Sequence, residues 1–138
     1  VKGKHVVDMG AGTGILSILS AKLGARKVTA IEIDSGACAN AKDNVALNGV
    51  DVDVILGDAA KLCDVEKCDI FLANINRNII LNDIDKYVAV MKSGSALHIS
   101  GFYENDLPLL QKELSKYGLN LVSKVVRNDW TMAKFELY

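Results

Sequence analysis

The feature that most constrains the fold is a repeated alternation between short strand-like runs and longer segments with helical periodicity. Runs rich in β-branched residues predict strands at 4–9, 27–33, 51–56, 69–74 and 95–100. Apolar residues at helical spacing predict helices at 14–23, 35–48, 78–91 and 105–117. Strand followed by helix, repeated along a chain, predicts right-handed βαβ units and a mostly parallel sheet.

The last two strand-like runs break this alternation. Residues 119–126 and 132–138 are separated by a few residues that allow only a hairpin-like link, so these two strands must be antiparallel to each other. The sequence therefore predicts a doubly wound α/β sheet of seven strands, mostly parallel, with helices on both faces and one reversed strand near an edge. At 138 residues the chain is expected to form a single domain over 1–138.

Composition excludes several classes of function. Sixteen Lys and Arg against 17 Asp and Glu give a net charge of −1, which is unlike a dedicated nucleic-acid module. No run approaches the roughly 18 uninterrupted apolar residues of a membrane span, and the start of the chain is unlike a signal peptide. The cysteines, Cys38, Cys63 and Cys68, are odd in number and form no C-x-x-C. With only two histidines, the sequence predicts reduced thiols, no metal site and a cytoplasmic location.

The segment after the first strand carries the strongest ligand signal. Glycines alternate in Asp8-Met9-Gly10-Ala11-Gly12-Thr13-Gly14, at the carboxyl end of a strand, where open α/β sheets bind ligands. The pattern departs from G-x-G-x-x-G because its third glycine comes one residue early. Asp8 would repel a pyrophosphate but attract an ammonium group, which favours S-adenosylmethionine over a dinucleotide. The predicted cofactor contacts here are Asp8, Gly10, Ala11, Gly12 and Gly14.

Two further strand ends supply candidate nucleoside contacts. Glu32 closes the second strand, where a carboxylate can accept hydrogen bonds from both ribose hydroxyls, and Ile33 can pack on an adenine ring. Because dinucleotides and S-adenosylmethionine both contain a ribose, a carboxylate at Glu32 does not distinguish between them. After the third strand, Asp58 can accept from the adenine amine and the Ala59 amide can donate to a ring nitrogen. Asp58 is equally consistent with a loop acid that starts a turn.

The fourth strand ends on Asn74, an amide that is unusual for packing alone and can hold an amine nucleophile in line with a methyl group. Asn74 is therefore predicted as both a catalytic residue and a cofactor contact. Ile75 and Asn76, which follow it, are predicted to contact substrate. Trp130 either covers the sheet edge or forms a wall of the substrate pocket, and the substrate prediction includes it. Phe102 and Tyr103 have the same two interpretations, and the substrate prediction includes Phe102.

The spacing of Asp8, Gly10, Gly12, Gly14, Glu32, Asp58 and Asn74 resembles that of the seven-stranded S-adenosylmethionine-dependent methyltransferases. Residues 8–18, 22–28 and 73–75 resemble, more narrowly, the PrmA methyltransferases, which modify large-subunit ribosomal protein eleven. Residues 100–102 and 128–130 add weaker support, and the resemblance covers essentially the whole chain. It implies the strand order 3-2-1-4-5-7-6 and carries Gly10, Glu32 and Asn74 over as cofactor contacts.

The resemblance also implies a substrate. The Ala-Asn-Ile segment stands where amide and base N-methyltransferases carry Asn-Pro-Pro-aromatic, which favours an aliphatic amine such as lysine or an α-amino group. The chain departs from the family in having Glu32 where Asp is usual. It also lacks the family's amino-terminal substrate-recognition domain and its cofactor loop before the first strand. The chain is therefore expected to be a catalytic domain alone.

Three functions remain as hypotheses. The first is a protein N-methyltransferase that uses S-adenosylmethionine on a large-subunit ribosomal protein, without direct nucleic-acid or membrane binding by this domain. The second is a methyltransferase of the same fold that acts on ribosomal RNA or a small molecule. The third is a nicotinamide-dependent oxidoreductase or a non-catalytic nucleotide-binding module. Asp8 and the early third glycine disfavour the third hypothesis.

Overall fold

The computed structural model describes residues 1–138 and contains one seven-stranded sheet with the order β3-β2-β1-β4-β5-β7-β6. The strands are β1 (His5–Met9), β2 (Lys27–Glu32), β3 (Asp53–Leu56), β4 (Cys68–Asn74), β5 (Met91–Tyr103), β6 (Leu119–Arg127) and β7 (Trp130–Leu137). The helices are α1 (Ile15–Lys22), α2 (Ser35–Leu47), α3 (Arg77–Ala89) and α4 (Leu107–Ser115), and short 3-10 turns lie at Ala59–Asp64 and Glu104–Asp106. The α/β class and the strand order are confirmed.

The hairpin at the end of the chain has the predicted form. β7 is antiparallel to both β5 and β6, so it is the single reversed strand, and β6 runs in the direction of the parallel strands. Asn128 and Asp129 make the turn with φ values of 48° and 69°, the left-handed region that Asn and Asp tolerate best after glycine. Trp130 follows this turn and therefore lies at the carboxyl edge of the sheet.

The boundary between α3 and β5 differs from the prediction. The helix is predicted to run to residue 91, but it ends at Ala89, and Met91 already pairs with Cys68 of β4. Ile79 is 44% exposed, whereas Ile80 is fully buried. Strand pairing with β4 overrides the helical pattern here because it satisfies the backbone groups of β5 from its first residue.

One face of the sheet carries the main core. Side chains from alternate positions of the strands, such as Val7 and Phe71, pack against α3 and α4. Phe71 and Tyr87 stack with their ring centroids 4.6 Å apart. This dense packing fixes β4 and β5, and with them the strand ends that carry the candidate site residues.

The other face is only half covered. α1 and α2 pack on β1, β2 and β3, which leaves an open groove over β4, β5 and β7. Of the apolar residues that predict α1, only Ile18 is buried. Leu16 lines the groove and is 39% exposed, and Leu19 is 51% exposed. His98 lines the groove, where partial burial and the nearby Lys134 lower its pKa.

The cysteines are free thiols. Cys38 and Cys68 are buried as small apolar side chains, and burial raises the pKa of Cys68 to about 12. Cys63 is exposed. No cluster of three or more His, Cys, Asp or Glu side chains has an arrangement suited to a metal ion. None of the helices has the length and apolar character needed to cross a membrane.

Candidate functional site

The candidate site lies where the strand order reverses. From β1 the chain winds outward to β2 and β3 and then returns to place β4 on the other side of β1. The loops after β1 and β4 therefore leave the sheet in opposite directions and open a crevice between them. Every predicted site residue lies at or next to this carboxyl edge.

The three glycines after β1, in the glycine loop (residues 10–14), have different surroundings. All three have positive φ, at 73° for Gly10, 59° for Gly12 and 84° for Gly14, which favours glycine at each position. A Cβ atom at Gly12 would meet nothing within 4 Å, so a ligand can approach the backbone there. A Cβ atom at buried Gly14 would lie 3.3 Å from Ala41 Cβ, so this glycine lets α1 approach α2 closely. Ala11, between Gly10 and Gly12, is half-buried.

Glu32 fastens the glycine loop to the end of β2. Glu32 is only 8% exposed. Its Oε1 accepts a hydrogen bond from the Gly12 N–H at 2.8 Å, and its Oε2 accepts one from the Asp34 N–H at 2.8 Å. A carboxylate offers about four lone-pair sites, so each oxygen can accept one further bond. Glu32 thus fixes the loop and keeps capacity to accept from a pair of hydroxyl groups.

Asp8 lies behind the glycine loop. It is 2% exposed, and its Oδ2 accepts a hydrogen bond from Ser17 Oγ at 2.7 Å, which joins β1 to α1. Burial raises the pKa of Asp8, and the charge of Glu32 raises it further, while the hydrogen bonds from Ser17 lower it. Because Asp8 is buried behind the loop, its side chain is not open to the crevice.

The strand ends beyond Glu32 present the predicted adenine contacts side by side. Glu32 pairs with Leu56, so the residues after β2 and β3 leave adjacent strand ends. Ile33 is 71% exposed and offers an apolar surface. Asp58 is exposed, and its Oδ1 accepts from the Ala60 N–H at 2.9 Å, which is the turn-starting role that its sequence position also allows. Ala59 is buried within that turn.

The segment after β4 is held differently. Asn74 is exposed at the end of the strand, and its Oδ1 would lie 2.9 Å from a Cβ atom placed on Gly101. Ile75 is half-buried, with Cγ1 2.9 Å from the corresponding position on Gly10. Asn76, predicted to contact substrate, caps α3 by accepting from the Ile79 N–H at 3.0 Å.

The exposed aromatic pair at this edge consists of Trp130 and Tyr103. Trp130 is 54% exposed and stacks on Tyr103, with ring centroids 5.3 Å apart and planes inclined by 17°. Phe102 is 2% exposed and belongs to the core, so its ring is not available as an open wall. β5 buries Leu97 and Ile99, and a register shift between Ser100 and Phe102 then turns Phe102 inward and Tyr103 outward. Strict alternation from Ile99 would place Tyr103 inward, so the sequence pattern gives no signal for its exposure.

An ion pair closes the far side of this region. Arg77 Nη1 lies 2.7 Å from Asp106 Oδ1, and Asp106 Oδ2 accepts a hydrogen bond from the Tyr103 N–H at 3.2 Å. Arg77 and Asp106 line a shallow groove together with Gly101 and Trp130. The sequence gives no signal for this pair, because the two residues come from separate elements.

Residues 1–137 match the family described as Ribosomal protein L11 methyltransferase (PrmA). The chain belongs to this family. Among curated PrmA proteins, the chain is 47% identical to that of Bacteroides fragilis over 136 residues, which is 98% of this chain and 49% of the relative. It is 46% identical to that of Porphyromonas gingivalis, covering 98% of this chain and 47% of the relative. The chain spans about half the length of the curated relatives it matches.

Solved structures agree with the PrmA assignment. The ribosomal protein L11 methylase of Lactobacillus delbrueckii subsp. bulgaricus superposes with a TM-score of 0.88 at 31% identity, covering 100% of this chain and 72% of that one. TYW2 of M. jannaschii, in complex with AdoMet, gives a TM-score of 0.75 at 26% identity, covering 99% of this chain and 70% of that one. The PrmA resemblance inferred from the motifs is confirmed.

Proposed function

We propose that this chain is the methyl-transferring part of an S-adenosylmethionine-dependent N-methyltransferase that acts on lysine or α-amino groups of ribosomal protein L11. The observation that carries the proposal is the meeting, at one sheet edge, of a glycine loop fastened by Glu32 and an exposed Asn74 on the neighbouring strand end. Membership of the PrmA family supports the protein substrate.

The residues at the crevice fit the cofactor. Glu32 has the spare acceptor capacity to bind two ribose hydroxyls, and Gly12 leaves open space for close backbone approach. Exposed Ile33 offers an apolar contact for an adenine ring, with Asp58 on the adjacent strand end. The negative charges of Asp8 and Glu32 favour a ligand with a cationic group over one with a pyrophosphate, which disfavours the nicotinamide alternative.

S-adenosylmethionine supplies an electrophilic methyl group carried on a sulfonium. The chain's own residues bind and orient an amine acceptor. The Asn74 side-chain carbonyl can accept a hydrogen bond from the amine N–H, which directs the nitrogen lone pair along a fixed line. The exposed Tyr103–Trp130 face can hold the aliphatic stem or the charge of a lysine before it loses its proton.

A methyltransferase of the same fold that acts on RNA or a small molecule is the alternative. A 16S rRNA methyltransferase of T. thermophilus has a TM-score of 0.84 at 18% identity, covering 100% of this chain and 38% of that one, a likeness of fold alone. The near-neutral charge and the Ala-Asn-Ile segment favour a protein amine and no direct nucleic-acid contact by this domain. A ribosomal protein substrate would place the reaction in the cytoplasm.

Calorimetric titration with S-adenosylmethionine, with NADH as competitor, tests the cofactor assignment. Glu32→Ala should weaken binding by about 1–3 kcal/mol, the range for hydrogen bonds to a charged group. Asp34→Ala is the matched control because it removes a neighbouring carboxylate that caps α2 through Ala37 and should leave binding unchanged. Equal affinity in Glu32→Ala and the parent would remove Glu32 from the site.

The substrate is tested with purified ribosomal protein L11. Mass spectrometry after incubation with S-adenosylmethionine should show added methyl groups on lysine or the amino terminus. If this chain alone is inactive, the same assay is made with a protein of the relatives' full length. Failure of that longer protein as well, or preferential binding of NADH, would contradict the proposed function.

A further inference from the structure

Two glycines lie on either side of the segment after β4. In the sheet, β4 lies between β1 and β5, Gly10 follows β1, and Gly101 belongs to the carboxyl end of β5. A Cβ atom on Gly10 would stand 2.9 Å from Ile75 Cγ1, and one on Gly101 would stand 2.9 Å from Asn74 Oδ1. The consecutive side chains of Asn74 and Ile75 therefore occupy spaces that two glycines leave on opposite neighbours.

We propose that Gly10 and Gly101 form a glycine clamp that positions Asn74, with Gly101 setting the place of the Asn74 amide. This inference rests on the proposed function only for its consequence in catalysis. Contacts of 2.9 Å to a Cβ atom are closer than real Cβ atoms adopt, so any side chain at 101 must displace its neighbour. Asn74 is exposed, and its amide oxygen lies in the space that the missing Cβ of Gly101 leaves, so glycine at 101 allows the amide to take this place.

The two glycines differ in what a methyl group would move. At Gly101 it would meet the end of a short side chain, and rotation of the Asn74 amide is easier than a shift of the backbone. At Gly10 it would meet Ile75, a β-branched side chain with few rotamers. Substitution at Gly101 therefore displaces Asn74 while leaving the fold in place, and Gly101 acts as a positioning residue.

The same strand contains a matched control. Gly94 has a φ of 87°, equal to that of Gly101, and a Cβ atom on it would meet nothing within 4 Å. Alanine at either position incurs the backbone cost of a left-handed conformation. Only Gly101→Ala adds the collision with Asn74. The difference between the two variants therefore isolates the contact from the backbone effect.

Nuclear magnetic resonance tests the clamp without requiring activity. The side-chain amide signals of Asn74 are assigned by their loss in Asn74→Asp. Gly101→Ala should shift these signals strongly, whereas Gly94→Ala should leave them in place. Unmoved Asn74 signals in Gly101→Ala, or equal shifts in both variants, would overturn the inference.

A folding defect would not hide the result. If Gly101→Ala fails to fold, the double variant Gly101→Ala with Asn74→Ala removes the colliding amide. Its urea midpoint should then recover to that of Gly94→Ala. A double variant that stays unfolded would overturn the inference.

Turnover measures the catalytic consequence. In the protein that methylates ribosomal protein L11, Gly101→Ala should reduce kcat on the order of 10- to 100-fold, the effect of a small displacement at the reacting centre. The Kd for S-adenosylmethionine should change little, and Gly94→Ala should retain parent turnover. Parent turnover in Gly101→Ala would overturn the positioning role. A parent protein without methyl transfer contradicts the proposed function alone, and the resonance comparison then decides the clamp.

Discussion

The loop after β1 and the segment after β4 lie at the same edge of the sheet, yet different interactions hold them. The first is fastened by two carboxylates in almost fully buried residues, Glu32 to Gly12 and Asp8 to Ser17. The second begins at an exposed Asn74, whose amide oxygen lies in the space left by the missing Cβ of Gly101. We refer to these regions below as the cofactor half and the acceptor half.

The difference matches what each half would have to do under the proposed function. A small cofactor of fixed shape is bound best by groups that are already in place, because ordering them on binding costs free energy. A protein substrate needs an open approach, and an exposed amide beside an exposed aromatic pair leaves one. Variants in the two halves should therefore separate binding of the cofactor from turnover of the acceptor.

The largest expected effect is that of Asn74→Ala on turnover. Loss of the amide that orients the amine should lower kcat on the order of 100-fold, with a much smaller change in the Kd for S-adenosylmethionine. Single-turnover methylation of ribosomal protein L11 and calorimetry on the same preparation measure the two quantities. Normal turnover in Asn74→Ala would show that the acceptor half does not depend on this side chain.

The second expected effect concerns the pH dependence of stability in the cofactor half. Burial raises the pKa of Asp8 above 3.8, so the folded state binds more protons than the unfolded state as the pH rises above that value. The free energy of unfolding contributed by Asp8 therefore falls with rising pH until its folded pKa is passed. Asp8→Asn does not titrate and should gain stability relative to the parent over this interval.

Urea unfolding of the parent and Asp8→Asn, from about pH 4 to pH 8, measures that difference. Ser17→Ala is a useful companion because it removes a hydrogen bond that lowers the pKa of Asp8, so its stability should fall more steeply with pH. A stability difference between parent and Asp8→Asn that stays constant with pH would contradict the prediction.

The smallest expected effect is that of Arg77→Met in the acceptor half. The Arg77–Asp106 pair is partly exposed, so its loss should reduce the free energy of unfolding by about 0.2–1 kcal/mol, and less at high salt. Lys116→Met is a matched control. It removes the exposed ion pair between Glu113 of α4 and Lys116, the residue that follows this helix. A loss of several kcal/mol would show that the acceptor half is fastened as firmly as the cofactor half.

The sequence predicted that the glycine loop and Glu32 lie together at one sheet edge, because the signals of the cofactor half are local. Strand, glycine loop and helix follow each other directly, and Glu32 ends the next strand, so the topology of βαβ units brings them together. The cap of α2 is local as well, since Asp34 Oδ2 accepts a hydrogen bond from the Ala37 N–H three residues on. The separate roles of Gly12 and Gly14 were not predictable, because they depend on the distance to Ala41 of α2.

The acceptor half was predicted less completely because its contacts join distant segments. Trp130 meets Tyr103 through the register of β7 on β5, and a register cannot be read from composition or spacing. Phe102 was assigned to the substrate wall, but the register shift between Ser100 and Phe102 turns it into the core. The exposure of the apolar face of α1 could not be predicted for a related reason. Periodicity predicts an amphipathic helix but does not specify which element covers its apolar face.

The stacked pair of Tyr103 and Trp130 gives the acceptor half an optical signal of its own. Trp130 is the single tryptophan of the chain, so intrinsic indole emission comes from this one place. Addition of S-adenosylmethionine, which binds at the cofactor half under the proposed function, should change the emission little. A substrate side chain that covers the indole or separates it from Tyr103 should shift the emission wavelength. The unmodified protein thus reports, by its own fluorescence, when an acceptor arrives.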